Sequence, residues 1–188
     1  MPARERNEAV DSFIGQIRET LDCITPEVIQ AHQETDKLFK LLFKEPKRVA
    51  ARSGDPFYIS VMQTFTVNEH KDGTFRVHTR QYSYVFSETA EPTFKGVFAY
   101  HWHPQDFDLR DPHLHITITQ NLGYPEIERR IARAHFPTSR VCLEDFILLL
   151  INYYDIKPAL HASTWKRILR KNKKIFEDEA SWFVVNSR

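Results

Sequence analysis

The run TFRVHTRQYSYVF at residues 74–86 decides the expected fold, because β-branched and aromatic side chains recur along its length. Similar runs occur on either side of it, so the candidate strands are residues 57–67, 74–86, 93–103 and 113–120. The connections between these runs are short, which favours neighbouring strands that run in opposite directions. The middle of the chain, residues 57–120, therefore predicts a four-stranded antiparallel meander.

Helices are predicted on both sides of this meander. In residues 1–46, apolar residues recur at three- and four-residue spacing and predict a pair of helices, the second opening at Thr25–Pro26–Glu27. Residues 47–56 are rich in basic residues, Gly and Pro and predict a connecting loop. Residues 125–180 predict a short charged helix, a buried helix and a last helix. We therefore expect one α+β domain over residues 1–188, with N- and C-terminal helices packed on one face of the sheet.

Composition narrows the class of protein. The chain has 188 residues, of which 41% are hydrophobic, and its formal net charge is +1. Such a balance excludes a generally polybasic protein, because non-specific phosphate binding needs a large positive excess. The longest apolar run, Phe146 to Ile151, is too short to cross a bilayer, so no membrane partner is expected. Two distant cysteines in apolar patterns and a charged first segment without an apolar leader predict a reduced, cytoplasmic protein.

Histidine is the unusual residue of this sequence. There are nine, and five of them fall between His78 and His115. Side chains alternate between the two faces of a strand. Parity therefore places His113, His115 and Thr117 on one face of the last strand, and His101 and His103 on the corresponding face of the strand before it. Each of these strands directs its apolar residues to the opposite face.

The strand at residues 74–86 is expected to contribute to the same histidine face. Parity places Arg76, His78, Arg80, Tyr82 and Tyr84 together on one side of it. Pairing the strands symmetrically about their loops predicts two rows across three strands. The residues of these rows are His78, His101 and His115 in one, and Arg76, His103 and His113 in the other.

Two chemistries compete for this face. Imidazoles suit a divalent transition metal, zinc foremost, and a metal would be held by His101, His103, His113 and His115. Loop carboxylates would then supply a further ligand or orient a histidine, the candidates being Asp106, Asp108 and Asp111. In the alternative, metal-free chemistry, His101, His113 and His115 act as general acid and base on a phosphodiester. The phosphate is then held by Arg76, His78, Arg80 and Thr117.

The function predicted from this face is that of a small intracellular hydrolase, a phosphodiesterase or nuclease that acts on nucleic acid or a nucleotide. The alternative is a non-enzymatic module that binds nucleic acid or a protein through a basic C-terminal helix. Six cations lie in nine residues of that helix, namely Lys166, Arg167, Arg170, Lys171, Lys173 and Lys174. A solvated helix face is the simpler interpretation of this run.

His135 precedes the predicted buried helix. With Ser139, it is a candidate for an anion site near the sheet. An ordinary helix cap with a packed Phe136 is the simpler interpretation, and we favour it.

The order of parts over residues 75–151 resembles the TumE-like family of small bacterial toxins. The corresponding segments are Tyr100-His101-Trp102-His103, Pro112-His113-Leu114-His115 and the acidic, leucine-rich Leu143–Leu149. The resemblance covers less than half of the chain, and the N-terminal segment has no counterpart in that family. It implies that His101, His103, His113 and His115 form the working site, in a toxin-type protein with a neutralising protein partner.

Overall fold

The computed structural model describes residues 3–91, 97–105, 110–116 and 124–185. Within these ranges the chain forms four helices and eight strands, a mixed α+β architecture. The helices are α1 (Arg6–Leu21), α2 (Pro125–Arg133), α3 (Leu143–Tyr153) and α4 (Ala162–Val185). The strands are β1 (Gln30–Gln33), β2 (Leu38–Leu42), β3 (Lys47–Ala50), β4 (Pro56–Glu69), β5 (Phe75–Ser87), β6 (Phe98–Trp102), β7 (His113–Ile116) and β8 (Phe136–Pro137).

All eight strands belong to one antiparallel sheet with the order β1-β2-β4-β5-β6-β7-β8, and β3 pairs with β4 beside β2. The four predicted strands correspond to β4 to β7, and they lie side by side in the sheet in the predicted order. The sheet is twice as large as the predicted meander because short strands add to both of its ends. Residues 93–96 and 117–120 of the predicted strands lie outside the described residues.

Helices from both ends of the chain cover one face of the sheet, as predicted. The ring of Phe13 in α1 lies 4.7 Å from that of Phe65 in β4. The ring of Phe146 in α3 lies 5.6 Å from Tyr84 and 5.9 Å from Phe98. Helix α4 packs in turn against α1 and α3. Burial of these apolar side chains is the main favourable term that holds the helices on the sheet.

The second N-terminal helix predicted from sequence is wrong. Its residues instead form β1, a turn and β2, and β2 pairs with residues 62–66 of β4. The hydroxyl of Thr35 accepts hydrogen bonds from the backbone N–H groups of Lys37 and Leu38, which stabilises the turn. The edge of β4 offers unpaired backbone groups, and pairing with it outweighs the helical spacing of the apolar residues.

The predicted loop at 47–56 is also partly wrong, because its first residues form β3. This strand pairs with Pro56–Ile59 of β4, so β2 and β3 occupy one edge of the same long strand in succession. Val49, which is buried, is the apolar residue that β3 contributes to the core. Strand β4 is thereby the centre of the sheet, with β5 along its other edge.

A β-bulge in β5 changes the face to which its side chains belong. Gln81 lies opposite Thr64, whereas Thr79 lies opposite Phe65, so Arg80 is an extra residue in the ladder. An extra residue shifts the alternation by one position on either side of the bulge. The core-facing residues are consequently Val77 before the bulge and Tyr82, Tyr84 and Phe86 after it, all of them buried.

This bulge corrects the predicted faces of β5. Tyr82 and Tyr84 were expected beside the histidines and instead pack in the core, with their rings stacked 4.8 Å apart. Arg76 and His78 lie before the bulge and keep the face opposite to Val77. After the bulge, the face with the histidines carries Gln81 and Ser83 in place of the tyrosines.

A polar network lies among the helices inside the core. The carboxyl of Glu144, which is 2% exposed, accepts a hydrogen bond from the Thr20 hydroxyl at 3.0 Å. The side-chain amide of buried Asn172 donates to the same hydroxyl and so connects α4 to the pair. Burial is the main cause that raises the pKa of Glu144 above its ordinary value.

Two further expectations concern cysteines and membranes. Cys23 and Cys142, which the sequence predicts to be reduced, are both buried and free. Among the described residues, no helix has both the length and the apolar character needed to cross a membrane.

Candidate metal centre

Three histidines converge on the face of the sheet opposite to α1 and α3. His101 comes from β6, and His113 and His115 come from β7; His101 lies directly opposite His113 in the ladder. Each ring offers one nitrogen, and the three nitrogens lie within 4.8 Å of one another. The ring centroids of His101 and His115 are 4.9 Å apart, as are those of His113 and His115. We call these three residues the histidine triad.

The predicted rows differ from the observed registers. His101 lies opposite Ser83 rather than His78, because the β5–β6 ladder is displaced along the strand and the bulge changes its parity. Similarly, His113 pairs with His101 rather than with His103, a shift of two residues that preserves the face. The histidines of β6 and β7 therefore lie together as expected, whereas His78 is not their cross-strand neighbour.

The chain itself orients His113. Its Nδ1 atom donates a hydrogen bond to the backbone carbonyl of Asp111 at 2.8 Å. The side chain is 3% exposed, and its Nε2 atom has no hydrogen-bond partner among the described residues. A buried nitrogen without a partner costs free energy, whereas a histidine held at one nitrogen by a carbonyl is the usual arrangement of a metal ligand. Asp111 therefore contributes to the site through its backbone rather than through the predicted carboxylate.

Two members of the triad, His101 and His115, favour the neutral imidazole. Burial, followed by the neighbouring histidines, lowers the pKa of His101 to about 3. Burial and then His135 and His113 lower the pKa of His115 to about 4. Neutral rings carry the lone pairs that a metal ion needs.

His135 is a site neighbour that the sequence analysis assigned to a helix cap. Its ring lies 4.3 Å from that of His115 and 5.0 Å from that of His113. Strand β8 begins one residue later and pairs Phe136 with Leu114, so the same register brings His135 beside His115. His135 is exposed, and it borders the triad from the solvent side. A two-residue strand has no periodicity, which is why no sequence pattern revealed this contact.

His103, the fourth predicted ligand, lies beside the triad. Its ring centroid is 5.4 Å from that of His101, and its Nδ1 atom is 2.6 Å from the side-chain amide nitrogen of Gln81. Among the described residues it does not belong to the group of three nitrogens that lie within 4.8 Å of one another.

The predicted anion-binding residues form a separate group toward the other end of β5. The Nε2 atoms of His70 and His78 lie 3.4 Å apart, and Arg76 forms an ion pair with Asp72 at 3.1 Å. Burial is the largest cause that lowers the pKa of His78, followed by His70, Arg80 and Arg76. Three of the predicted residues, Asp106, Asp108 and Thr117, lie outside the described residues.

The donor set of the triad fits a divalent transition metal. Zinc–imidazole bonds are ~2.0–2.1 Å long, so nitrogens on one tetrahedral ion are separated by roughly 3.3 Å. The triad nitrogens approach this spacing, and small side-chain rotations would complete it. Three imidazoles also leave a fourth position of a tetrahedral ion open, which is the arrangement of catalytic rather than structural zinc sites.

Comparison with known proteins found no matching protein-family model, no similar curated protein and no similar solved structure.

Proposed function

We propose that the protein is a small metal-dependent hydrolase that cleaves phosphodiester bonds at the histidine triad. The observation that carries this proposal is the convergence of three ring nitrogens from two adjacent strands, one of them oriented by a backbone carbonyl. A structural role alone does not account for the triad, because clustered buried imidazoles contribute little apolar burial and leave a nitrogen of His113 unsatisfied.

Each residue of the site has a separate role in the proposed reaction. His101, His113 and His115 would hold the ion, and the carbonyl of Asp111 keeps the Nε2 atom of His113 directed at it. When bound, such an ion would lower the pKa of a water molecule toward neutrality and would polarise a phosphoryl oxygen. Exposed His135 borders the face from which a substrate would reach the triad.

A phosphodiester is the preferred substrate class because arginine side chains lie beside His78 in the group toward the other end of β5. Arg76 and His78 occupy positions of β5 opposite to the core-facing Val77, and Arg80 at the bulge is exposed. One guanidinium group can donate two parallel hydrogen bonds to two oxygens of the same phosphate, which makes arginine common in sites that recognise phosphate.

The test combines metal content with hydrolysis. The purified chain is loaded with zinc, freed of unbound ion and measured by mass spectrometry beside His113→Ala and the exposed control His32→Ala. About one ion per chain is expected for the wild type and the control, and none for His113→Ala. Hydrolysis of bis(p-nitrophenyl) phosphate and of single-stranded RNA should be lost together with the ion.

Two outcomes would overturn the proposal. If His113→Ala hydrolysed the substrates at the wild-type rate, the triad would be excluded as the catalytic centre. Hydrolysis that depends on His113 but not on any ion would establish the metal-free acid–base alternative instead.

The resemblance to TumE-like toxins extends the proposal to a cellular role. A toxin-type nuclease with a neutralising partner would arrest growth when expressed alone, and His113→Ala would relieve the arrest while His32→Ala would not. Equal growth with all three proteins would contradict a toxin-type role without affecting the hydrolase proposal.

A further inference from the structure

Helix α4 carries a row of cations on the side that faces away from the core. Trp165, Leu169 and Asn172 are buried against the rest of the molecule. Lys166, Arg167, Arg170 and Lys174 are exposed, and together with Ser163 and Lys171 they line an open concavity of about 450 Å³.

Most of these charges are not neutralised by the protein. Lys171 pairs with Glu19 of α1, and Lys173 pairs with Asp145 of α3. Within the described part of the chain, Arg167, Arg170 and Lys174 form no ion pair, and the ammonium of Lys166 lies 5.4 Å from the centre of the Trp165 ring. The simpler interpretation of the sequence was a solvated helix face. Pairing with acidic residues accounts only for Lys171 and Lys173.

We propose that this row, defined by Lys166, Arg167, Arg170 and Lys174, is a binding surface for the phosphate backbone of nucleic acid. From Lys166 to Lys174 the helix rises about 12 Å, a length that spans three to four phosphates of one strand of duplex DNA. Arginine and lysine without acidic neighbours are the side chains that release counterions from such a backbone.

The row is separate from the histidine triad. Helix α4 packs against α1 and α3, which lie on one face of the sheet, whereas the triad lies on the opposite face. The row is therefore a surface separate from the substrate-binding site of the proposed hydrolase. Binding to the row should be independent of the triad.

The composition of α4 favours nucleic acid over a membrane surface. A helix that lies on a membrane inserts apolar side chains that flank its cations. In α4 the large apolar side chains near the row, Trp165 and Leu169, are 7% and 1% exposed and already packed inside the protein. Among the side chains of α4 that the structure describes, the exposed ones thus offer charge without a large apolar anchor, which suits a phosphate backbone.

The test is fluorescence anisotropy of the full chain with a labelled 20-base-pair DNA duplex at 50 and 200 mM salt, with the duplex checked for integrity. The test variant is Arg167→Gln/Arg170→Gln/Lys174→Gln. The matched control is Lys37→Gln/Lys44→Gln/Lys71→Gln, which removes the same charge from exposed positions outside α4. Loss of three phosphate contacts should shrink the fall in affinity between the two salts by roughly 40-fold.

The expected result is weakened, less salt-dependent binding for the α4 variant, with the control close to wild type. Equal weakening in the α4 variant and the control would overturn the proposal, since general charge would then explain binding. Absence of binding by the wild type at 50 mM salt would also overturn it. Binding only to vesicles that contain phosphatidylserine would assign the row to a membrane surface instead. Circular dichroism confirms that each variant is folded.

Discussion

The Nδ1 atom of His113 lies 2.8 Å from the backbone carbonyl oxygen of Asp111, two residues earlier in the chain. A carbonyl oxygen only accepts, so the ring carries its proton on Nδ1 and the neutral ring presents its lone pair at Nε2. A backbone group holds this tautomer more firmly than a side chain would, because it has no rotamers to lose.

This tautomer leads to a spectroscopic prediction. In nitrogen-15 spectra of the metal-free protein, recorded at a pH at which the ring is neutral, His113 should show a protonated Nδ1 and an unprotonated Nε2. Adding zinc should move the Nε2 resonance of His113 and leave its Nδ1 proton in place, whereas exposed His32 should not change. A protonated Nε2, or coordination through Nδ1, would contradict the proposed geometry.

Zinc affinity should depend more on the three histidines of the triad than on the neighbouring His135. His115→Ala removes one of the three converging nitrogens and should weaken zinc binding at least ~100-fold. His135→Ala changes a residue beside the triad and should weaken binding by about tenfold, the lower end of the range for groups that surround a ligand set. Competition with a chromophoric chelator measures both. Equal losses would make His135 a fourth ligand.

The helix layer depends on Phe146, which is buried and touches aromatic rings of β5 and β6. Phe146→Ala should lower the free energy of unfolding by about 3–5 kcal/mol, because it removes a large side chain and leaves a cavity. Tyr153→Ala, on the same helix but 79% exposed, should change it by less than ~0.5 kcal/mol. Urea denaturation gives both values, and similar values would contradict the burial of this face of α3.

Glu144 should make stability fall as the pH rises. Its pKa in the folded protein is raised above the ordinary 4.5, chiefly by burial, so the unfolded chain loses this proton first. As the pH rises above about 4.5, the loss of this proton from the unfolded chain lowers the free energy of unfolding progressively. The decrease ends once the carboxyl of the folded protein has ionised as well.

Glu144→Gln removes this titration while retaining an oxygen that accepts the Thr20 hydrogen bond. The difference in unfolding free energy, wild type minus variant, should decrease between pH 4.5 and pH 8. Taking the difference cancels the other titrating groups, including His101 and His115. A difference that rises with pH would show that the folded protein holds Glu144 as a carboxylate.

The bulge at Arg80 gives a backbone prediction. Arg80→Ala should change stability by less than ~0.5 kcal/mol, because the side chain is exposed. Deleting Arg80 should prevent folding, since one half of β5 would turn its core residues, either Val77 or Tyr82, Tyr84 and Phe86, toward the opposite face. A stable deletion variant with wild-type thermal unfolding would show that β5 does not require this extra residue.

Sequence patterns predicted the parts of the fold that are long and periodic. Strands β4 and β5 fall close to their predicted positions, because β-branched and aromatic residues recur along each of them. Helices α1 and α3 lie within the two segments that were predicted to be helical. Strands β1 and β2 escaped prediction because Leu38, Phe39 and Leu42 also fit a helical spacing. Their pairing partner is β4, and local sequence carries no information about an available edge.

Parity predicted that the three histidines of the triad share a face, but it did not predict the strand registers. The alternation of β6 and β7 was enough to place His101, His113 and His115 on one face. Registers depend on bulges and loop lengths, so the expected pairing of His78 with His101 failed. His135 joins the triad through a two-residue strand that only the folded chain defines.

Strands β6 and β7, which carry the triad, have five and four residues, against fourteen and thirteen for β4 and β5. Fewer ladder hydrogen bonds hold this end of the sheet, so its amide protons should exchange with solvent through local opening well before the centre opens. An ion bound to His101, His113 and His115 would link the two short strands directly. The triad would then act as a clasp, and ion occupancy would set how long this end of the sheet remains closed.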